Sequence, residues 1–189
     1  MKKSNSLFFA LLISGSMCLY SCDPPAQEGG TTEETEVATE TREERVSPLR
    51  TAQGSINGKD IRIQYGAPSV KNRTVWGDMA PYNEVWRTGA NEATNVEFSQ
   101  DVTVQGRNLA AGRYSIFTIP RQNGPWTVIF NSEWDLEHGH FQYKEVNDVL
   151  RVEVNPIKGQ DHQEQLEFKV EDPGIVLRWE EMKLPIEVK

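Results

Sequence analysis

From Arg50 to the end of the chain, apolar and polar residues alternate in short runs that turn residues interrupt. The clearest run, residues 60–65, reads Asp-Ile-Arg-Ile-Gln-Tyr and follows soon after Asn57-Gly58. A period of two is typical of a strand with one buried face, and an Asn-Gly pair is a strong hairpin signal. The pattern therefore predicts that this strand pairs in an antiparallel way with residues 51–56.

Similar runs recur along the rest of the chain and give about nine or ten short strands. Helical signal is confined to residues 81–88 and, more weakly, to residues 143–148. Many short strands separated by turns indicate an all-β domain, and the short strands and uneven connections favour an antiparallel β-sandwich over a barrel. The pattern does not distinguish a jelly-roll from an immunoglobulin-like topology.

The N-terminus has a different pattern, which predicts export. Two lysines precede an apolar stretch at residues 7–20, and residues 19–22 read Leu-Tyr-Ser-Cys. This order of charged, apolar and small residues is typical of a signal peptide, and the stretch is shorter than the about 20 apolar residues of a membrane span. The last four residues resemble the lipobox of bacterial lipoproteins, although Tyr20 stands where a small residue is usual.

We therefore predict a lipoprotein signal peptide at residues 1–21. Residues 22–47 are predicted to consist of a lipidated Cys22 followed by a disordered acidic tether. A cysteine thiolate is the nucleophile that accepts diacylglycerol, and two or more acyl chains, such as palmitate, hold a protein firmly on a membrane. The tether is rich in Glu, Thr, Pro and Gly, a composition typical of disorder. The alternative is an ordinary secretory signal that happens to contain Cys22. The predicted location is the cell envelope, with the outer membrane favoured and the exposed face left open.

Charge and cysteine content restrict what the predicted domain, residues 48–189, can do. The formal net charge of the chain is -8, which argues against nucleic acid as a partner. Both cysteines precede residue 48, so the domain has no disulfide and no cysteine-based metal site. His138 and His140 have no evident third ligand and are interpreted as part of a polar loop. No phosphate-binding loop, dinucleotide fingerprint or nucleophile elbow occurs in the chain, and we predict no catalytic residue, metal or cofactor.

The segment with the most chemistry, residues 76–93, reads WGDMAPYNEVWRTGANEA. In one interpretation its aromatic side chains close an end of the sandwich, and Arg87 pairs with Glu92 or binds backbone carbonyls. In the other they line a shallow groove, where flat rings suit sugars and an arginine suits an anion. The second interpretation makes six residues a candidate ligand site: Trp76, Tyr82, Trp86, Arg87, Asn91 and Glu92.

Several runs, taken together, carry a resemblance to a known family: residues 65–71, 76–77, 81–82, 85–93, 111–120 and 126–131. Over nearly all of residues 48–189 the chain resembles DUF2911, a family of uncharacterised envelope proteins common in Bacteroidetes and their relatives. Met79 and Ala80 stand where a more aliphatic pair is usual. The resemblance implies a β-fold and an envelope lipoprotein, and it implies no catalytic residue because the family has no established activity.

Two functions are compatible with these features. The favoured one is a non-catalytic envelope module that binds a glycan, a peptidoglycan fragment or a partner protein and contacts the membrane through its lipid anchor. The alternative is a hydrolase of envelope polymers, in which Glu84 or Glu92 acts as acid or base near Arg87. An enzyme requires a concave pocket where a carboxylate and a second polar group converge, whereas a binding module requires only an exposed aromatic patch.

Overall fold

A computed structural model describes residues 45–189 of the chain. The predicted signal peptide at residues 1–21, the predicted lipidation site Cys22 and the predicted tether as far as residue 44 lie outside the described residues. Within residues 45–189, no helix has both the length and the apolar character needed to cross a membrane.

The described residues form ten strands, as the period-two pattern predicts. The strands are β1 (Leu49–Ile56), β2 (Lys59–Gly66), β3 (Asn95–Phe98), β4 (Val102–Val104), β5 (Arg107–Leu109), β6 (Gly112–Ile119), β7 (Trp126–Asn131), β8 (Asp148–Val154), β9 (Ile157–Glu171) and β10 (Gly174–Glu187). Two 3-10 turns, Gly139–Gln142 and Glu145–Asn147, are the helical elements of this part of the chain. The all-β class is confirmed, whereas the helix predicted at residues 81–88 is wrong, because turns, bends and a single β-bridge at Trp86 occupy that segment.

Six strands form one antiparallel sheet in the order β1-β2-β3-β6-β7-β8. Neighbours in this sheet are also neighbours in sequence, except that the small β4–β5 hairpin leaves the sheet between β3 and β6. This order is a meander, and it differs from the Greek-key order of both topologies that the sequence left open. The long strands β9 and β10 form a separate hairpin.

The first hairpin turns at Asn57-Gly58, and this part of the prediction is confirmed. Both residues have positive φ, 51° and 76°, which is the conformation that a type I′ turn requires. The register pairs Ile56 with Lys59, and it places Ile61 and Ile63 on the buried face of β2.

The six-stranded sheet and the β9–β10 hairpin share one hydrophobic core, so the domain has the two layers of a sandwich. Strands β1 and β9 approach so closely that a Cβ on Gly54 would lie 2.9 Å from the Cβ of Val170. The largest fully buried side chains come from both layers and include Phe98, Trp126, Phe130, Leu166, Ile175 and Trp179.

The opposite face of the sheet carries a second, smaller apolar cluster. Its fully buried members are Ala93, Phe117 and Ile129. Because side chains alternate along a strand, Phe117 and Ile129 point away from the main core that contains their neighbours. Half-buried side chains of the segments that cross this face pack on the cluster: Val85, Leu136 and Tyr143 among them.

Candidate functional site

Trp86 occupies the position of a short strand beside β6. Its backbone N–H donates to the carbonyl of Thr118 (2.8 Å), and the N–H of Thr118 donates back to the carbonyl of Trp86 (2.9 Å). This bridge continues, along β6, the ladder that β3 makes with residues 112–115. Trp86 is buried in the main core, whereas Val85 packs against the second cluster on the other face.

Strand-like alternation therefore separates the predicted site residues. The aliphatic part of the Arg87 side chain packs so closely on Gly139 that a Cβ on Gly139 would overlap it. The Nη1 of Arg87 donates to the carbonyl of Asn91 (3.1 Å). Burial lowers the pKa of Arg87, and the nearby carboxylate of Glu92 opposes that shift. Arg87 binds a backbone carbonyl, as the first interpretation of this segment proposes, and it lies apart from the aromatic side chains.

Trp86 belongs to a cluster of four tryptophans. Its ring stacks on Trp179, with centroids 5.7 Å apart and planes 14° from parallel. Trp76 meets Trp86 edge-on at 5.9 Å and lies against Trp126 at 4.7 Å. Trp86, Trp126 and Trp179 are buried, whereas Trp76 is half-buried. Trp76 thus packs on the core with part of its side chain and reaches solvent with the rest.

A bulge in β10 supports the position of Trp76. The register between β9 and β10 shifts on both sides of Glu180, and the φ of Glu180 is 52°. Such bulges change the direction in which a side chain points. Here the Oε2 of Glu180 accepts a hydrogen bond from the indole Nε1 of Trp76 (3.1 Å).

A tight loop connects Trp76 to Tyr82. The N–H of Gly77 donates to the carbonyl of Ala80, and the N–H of Ala80 donates to the carbonyl of Val75, both at 2.9 Å. Gly77 has a φ of 94°, and a Cβ there would lie 2.9 Å from Cε2 of Tyr82. Only glycine tolerates both the positive φ and the close approach of the ring, so Gly77 allows Tyr82 to lie beside the loop.

A pocket of 770 Å³ opens beside this loop. Its walls come from the loop itself, the β6–β7 turn, the β8–β9 turn and the bulge of β10. The volume lies in the range of about 300–1,000 Å³ that is typical of small-molecule sites. The lining includes the aromatic residues Trp76, Tyr82 and Trp126, the cations Arg73, Arg121 and Lys158, the amides Gln122, Asn123 and Asn155, and one carboxylate, Glu180.

The other predicted site residues do not reach this pocket. Glu92 is ion-paired with Arg45 (2.6 Å) and borders a separate depression of 130 Å³. Asn91 is exposed and has a φ of 63°. In that depression the guanidinium of Arg113 lies 4.0 Å from the ring centre of Trp134, a cation–π contact. The structure thus brings Trp76 and Tyr82 together at the large pocket, and it places Trp86 in the core and the remaining residues on the other face.

The two histidines of the predicted polar loop, His138 and His140, lie near the second cluster. His138 is exposed, and His140 is half-buried in the 3-10 turn that begins at Gly139. Burial lowers the pKa of His140, and the positive charge of Arg87 lowers it further, against the opposing effect of Glu84. Among residues 45–189, no group of three or more His, Cys, Asp and Glu side chains could hold a metal ion.

The cations and amides of the pocket form no recognisable pattern in the sequence. Arg73 and Arg121 lie on two different connections and Lys158 lies at the start of β9, so the three are distant in sequence, and each looks like an ordinary surface residue. A local signal exists only at residues 122–125, where Gln-Asn-Gly-Pro directly before Trp126 is typical of a turn. A turn that ends at a buried tryptophan brings polar residues to the edge of an aromatic cluster.

Comparison with known proteins supplies a family and no activity. Searches among curated proteins and among solved structures found no match. A family model described as "Protein of unknown function (DUF2911)" matches residues 47–188, which is most of the chain and almost the whole of the described part. The family resemblance that the sequence shows over nearly all of residues 48–189 is thereby confirmed: the chain belongs to the DUF2911 family.

Proposed function

We propose that this protein is an envelope lipoprotein whose β domain binds a glycan, such as a peptidoglycan fragment, without catalysing a reaction. The observation that carries the proposal is the half-buried Trp76 at a pocket of 770 Å³. An aromatic face supplies apolar contact area for the C–H groups of a sugar ring. The amides of Gln122, Asn123 and Asn155 supply donors and acceptors for its hydroxyl groups.

The distribution of carboxylates supports binding over hydrolysis. Most glycoside hydrolases use two carboxyl groups on either side of the scissile bond. Among the residues that line this pocket, Glu180 is the single carboxylate, and it already accepts the indole N–H of Trp76. Glu84 is exposed, and Glu92 pairs with Arg45 at the separate depression.

The predicted lipid anchor supports a role in the envelope. A lipid on Cys22, followed by the predicted tether, would hold the domain close to envelope polymers. Replacing Cys22 with serine should abolish palmitate labelling and release the protein from the membrane fraction. Unchanged labelling and fractionation of the variant would contradict this part of the proposal.

Glycan binding is tested on the purified full chain by isothermal titration calorimetry with an N-acetylglucosamine trimer and a muropeptide. We expect both to bind, and Trp76→Ala to weaken binding by about fivefold, the equivalent of an aromatic contact of about 1 kcal/mol. Trp134→Ala removes an exposed tryptophan from the separate depression and should leave the affinity unchanged.

A thermal melt shows whether Trp76→Ala is folded, and Tyr82→Ala is the substitute if it is not. The proposal fails if neither saccharide binds to the wild-type chain. It also fails if a folded variant of the pocket binds as tightly as the wild type.

A further inference from the structure

We propose, on the basis of the function proposed above, that the pocket selects a glycan that carries an acidic group. The group is an oxyanion on the sugar, either a carboxylate or a phosphate. The residues that would hold it are Arg73 and Arg121, which line the pocket together with the aromatic side chains.

The charge of the pocket is opposite to that of the domain. Residues 46–189 contain sixteen Lys and Arg against twenty Asp and Glu, so the domain is acidic. The pocket lining contains three cations, Arg73, Arg121 and Lys158, against the single carboxylate of Glu180. A cleft lined mainly by one sign of charge concentrates ligands of the opposite sign. An acidic protein with a basic pocket is therefore suited to an anionic ligand at that place.

The guanidinium of Arg73 is held in position by the backbone. Its Nε donates to the carbonyl of Val70 (3.1 Å), and its Nη2 donates to the carbonyl of Ser69 (2.6 Å). These contacts use two of the five N–H donors of an arginine and neutralise none of its charge. Within residues 45–189, Arg73 has no carboxylate at ion-pair distance, and it therefore retains both charge and donors for a ligand.

Arg121 is placed in a similar way by the β6–β7 turn. Its carbonyl accepts the indole N–H of Trp126 (3.0 Å), which ties the turn to the tryptophan cluster, and its Nη1 donates to the side-chain oxygen of Asn83 (3.3 Å). The partner is a neutral amide, so the positive charge is not compensated. In the described part of the chain, Arg121 makes no ion pair either.

Lys158 and Glu180 differ from the arginines because both are already engaged. Lys158 forms an ion pair with Glu181 (3.0 Å), and Glu180 accepts the N–H of Trp76. The charge available to a ligand thus resides on the two arginines, whose planar forks bind carboxylate and phosphate through two parallel hydrogen bonds. Close aromatic side chains would hold the sugar to which the acid is attached.

The test compares matched pairs of saccharides on the purified full chain. One pair is a glucuronic acid disaccharide and its glucose counterpart, and the other is glucose 6-phosphate and glucose. We expect the acidic member of at least one pair to bind about tenfold or more tightly than the neutral one, and the preference to shrink as salt is added. The pair with the larger preference identifies the acid as carboxylate or phosphate.

Arg73→Gln and Arg121→Gln should each remove most of this preference, because they weaken binding of the acidic saccharide much more than binding of the neutral one. Arg107→Gln, an equal change of charge at an exposed position in β5 outside the pocket, should keep the preference. Equal binding of acidic and neutral members would overturn this inference and leave the glycan-binding proposal standing. The inference would also be overturned if the arginine variants lost affinity equally for the acidic and the neutral saccharide. If no saccharide of either pair binds, this inference fails, and the glycan-binding proposal fails with it only when the N-acetylglucosamine trimer and the muropeptide also do not bind.

Discussion

Residues 85–87 contribute to both faces of the six-stranded sheet, and the two faces differ in character. We call the face that packs on the β9–β10 hairpin the inner face and the opposite face the outer face. On the inner face, Trp86 stacks on Trp179 within a cluster of four tryptophans beside the pocket. On the outer face, Val85 and Arg87 lie over a small apolar cluster that includes Phe117. The inner face buries a large apolar core that includes these rings, whereas the outer face combines a small apolar cluster with polar contacts.

The outer face carries a connected network of polar side chains, whereas the inner face carries the indole rings. Asp148 accepts hydrogen bonds from the hydroxyl of Tyr143 (2.7 Å), the Nε of Arg151 (2.7 Å) and the Nδ2 of Asn131 (2.8 Å). Burial and the hydrogen bond to Asp148 raise the pKa of Tyr143, so its hydroxyl stays protonated and donates. Within residues 85–87, Trp86 thus contributes to the buried aromatic cluster of one face, and Arg87 contributes to the polar contacts of the other.

Trp86→Ala is the strongest test of the inner face. Removing a buried tryptophan from a packed core costs about 3–5 kcal/mol, because the neighbours collapse only partly into the cavity. We expect a loss of this size in the free energy of unfolding, measured by urea denaturation. If the alanine variant does not fold, Trp86→Phe, which retains a ring against Trp179, should give a smaller and measurable loss.

Trp134→Ala is the matched control, because this tryptophan is 36% exposed and lies outside the cluster. It should cost less than about 1 kcal/mol. A Trp86→Ala variant as stable as the wild type would show that the stacked pair contributes little and would remove the contrast between the two faces.

The parts of the fold that are determined by residues close in sequence could be predicted. The Asn57-Gly58 turn and the alternation at residues 60–65 together specify the first hairpin. The strand-like bridge of Trp86 could not be predicted, because the chain adopts it only when β6 offers Thr118 as a partner. Residues 81–88 have helical end signals, but their contacts with β6 decide the conformation.

The site was harder to predict than the fold for a related physical reason. Trp76 and Tyr82 lie within one loop and could be grouped by proximity in the sequence. Arg73 and Arg121 meet at the pocket because antiparallel strands return their connections to one end of the sheet, and Glu180 joins them from the bulge of β10. Arg87 follows Trp86 directly in the sequence, but the alternation along a strand sends their side chains to opposite faces.

Asp148→Asn tests the outer face, with an expected loss of about 2–3 kcal/mol in the free energy of unfolding. The amide keeps the size of the side chain but removes the charge that receives hydrogen bonds from Tyr143 and Arg151, and bonds to a charged group contribute about this much. The side chain is 9% exposed, so water compensates little. Glu145→Gln is the control, since Glu145 also pairs with Arg151 but its side chain is 76% exposed. Equal losses in the two variants would mean that the network is no stronger than a surface ion pair.

The pH dependence of stability gives the smallest and most specific contrast between the faces. Burial and Arg87 hold the pKa of His140 below its ordinary value of 6.5, so the unfolded chain binds this proton more readily than the folded one. The contribution of His140 to stability is therefore complete above pH 6.5 and is lost as the pH falls below it. Because the site is partly open to solvent, we expect wild type to lose roughly a few tenths of a kcal/mol more than His140→Gln between about pH 7.5 and about pH 5.5. His138→Gln, an exposed histidine of the same segment, should retain the wild-type profile. An NMR titration that placed the pKa of His140 at or above 6.5 would contradict the prediction, since the outer face would then favour the charged ring.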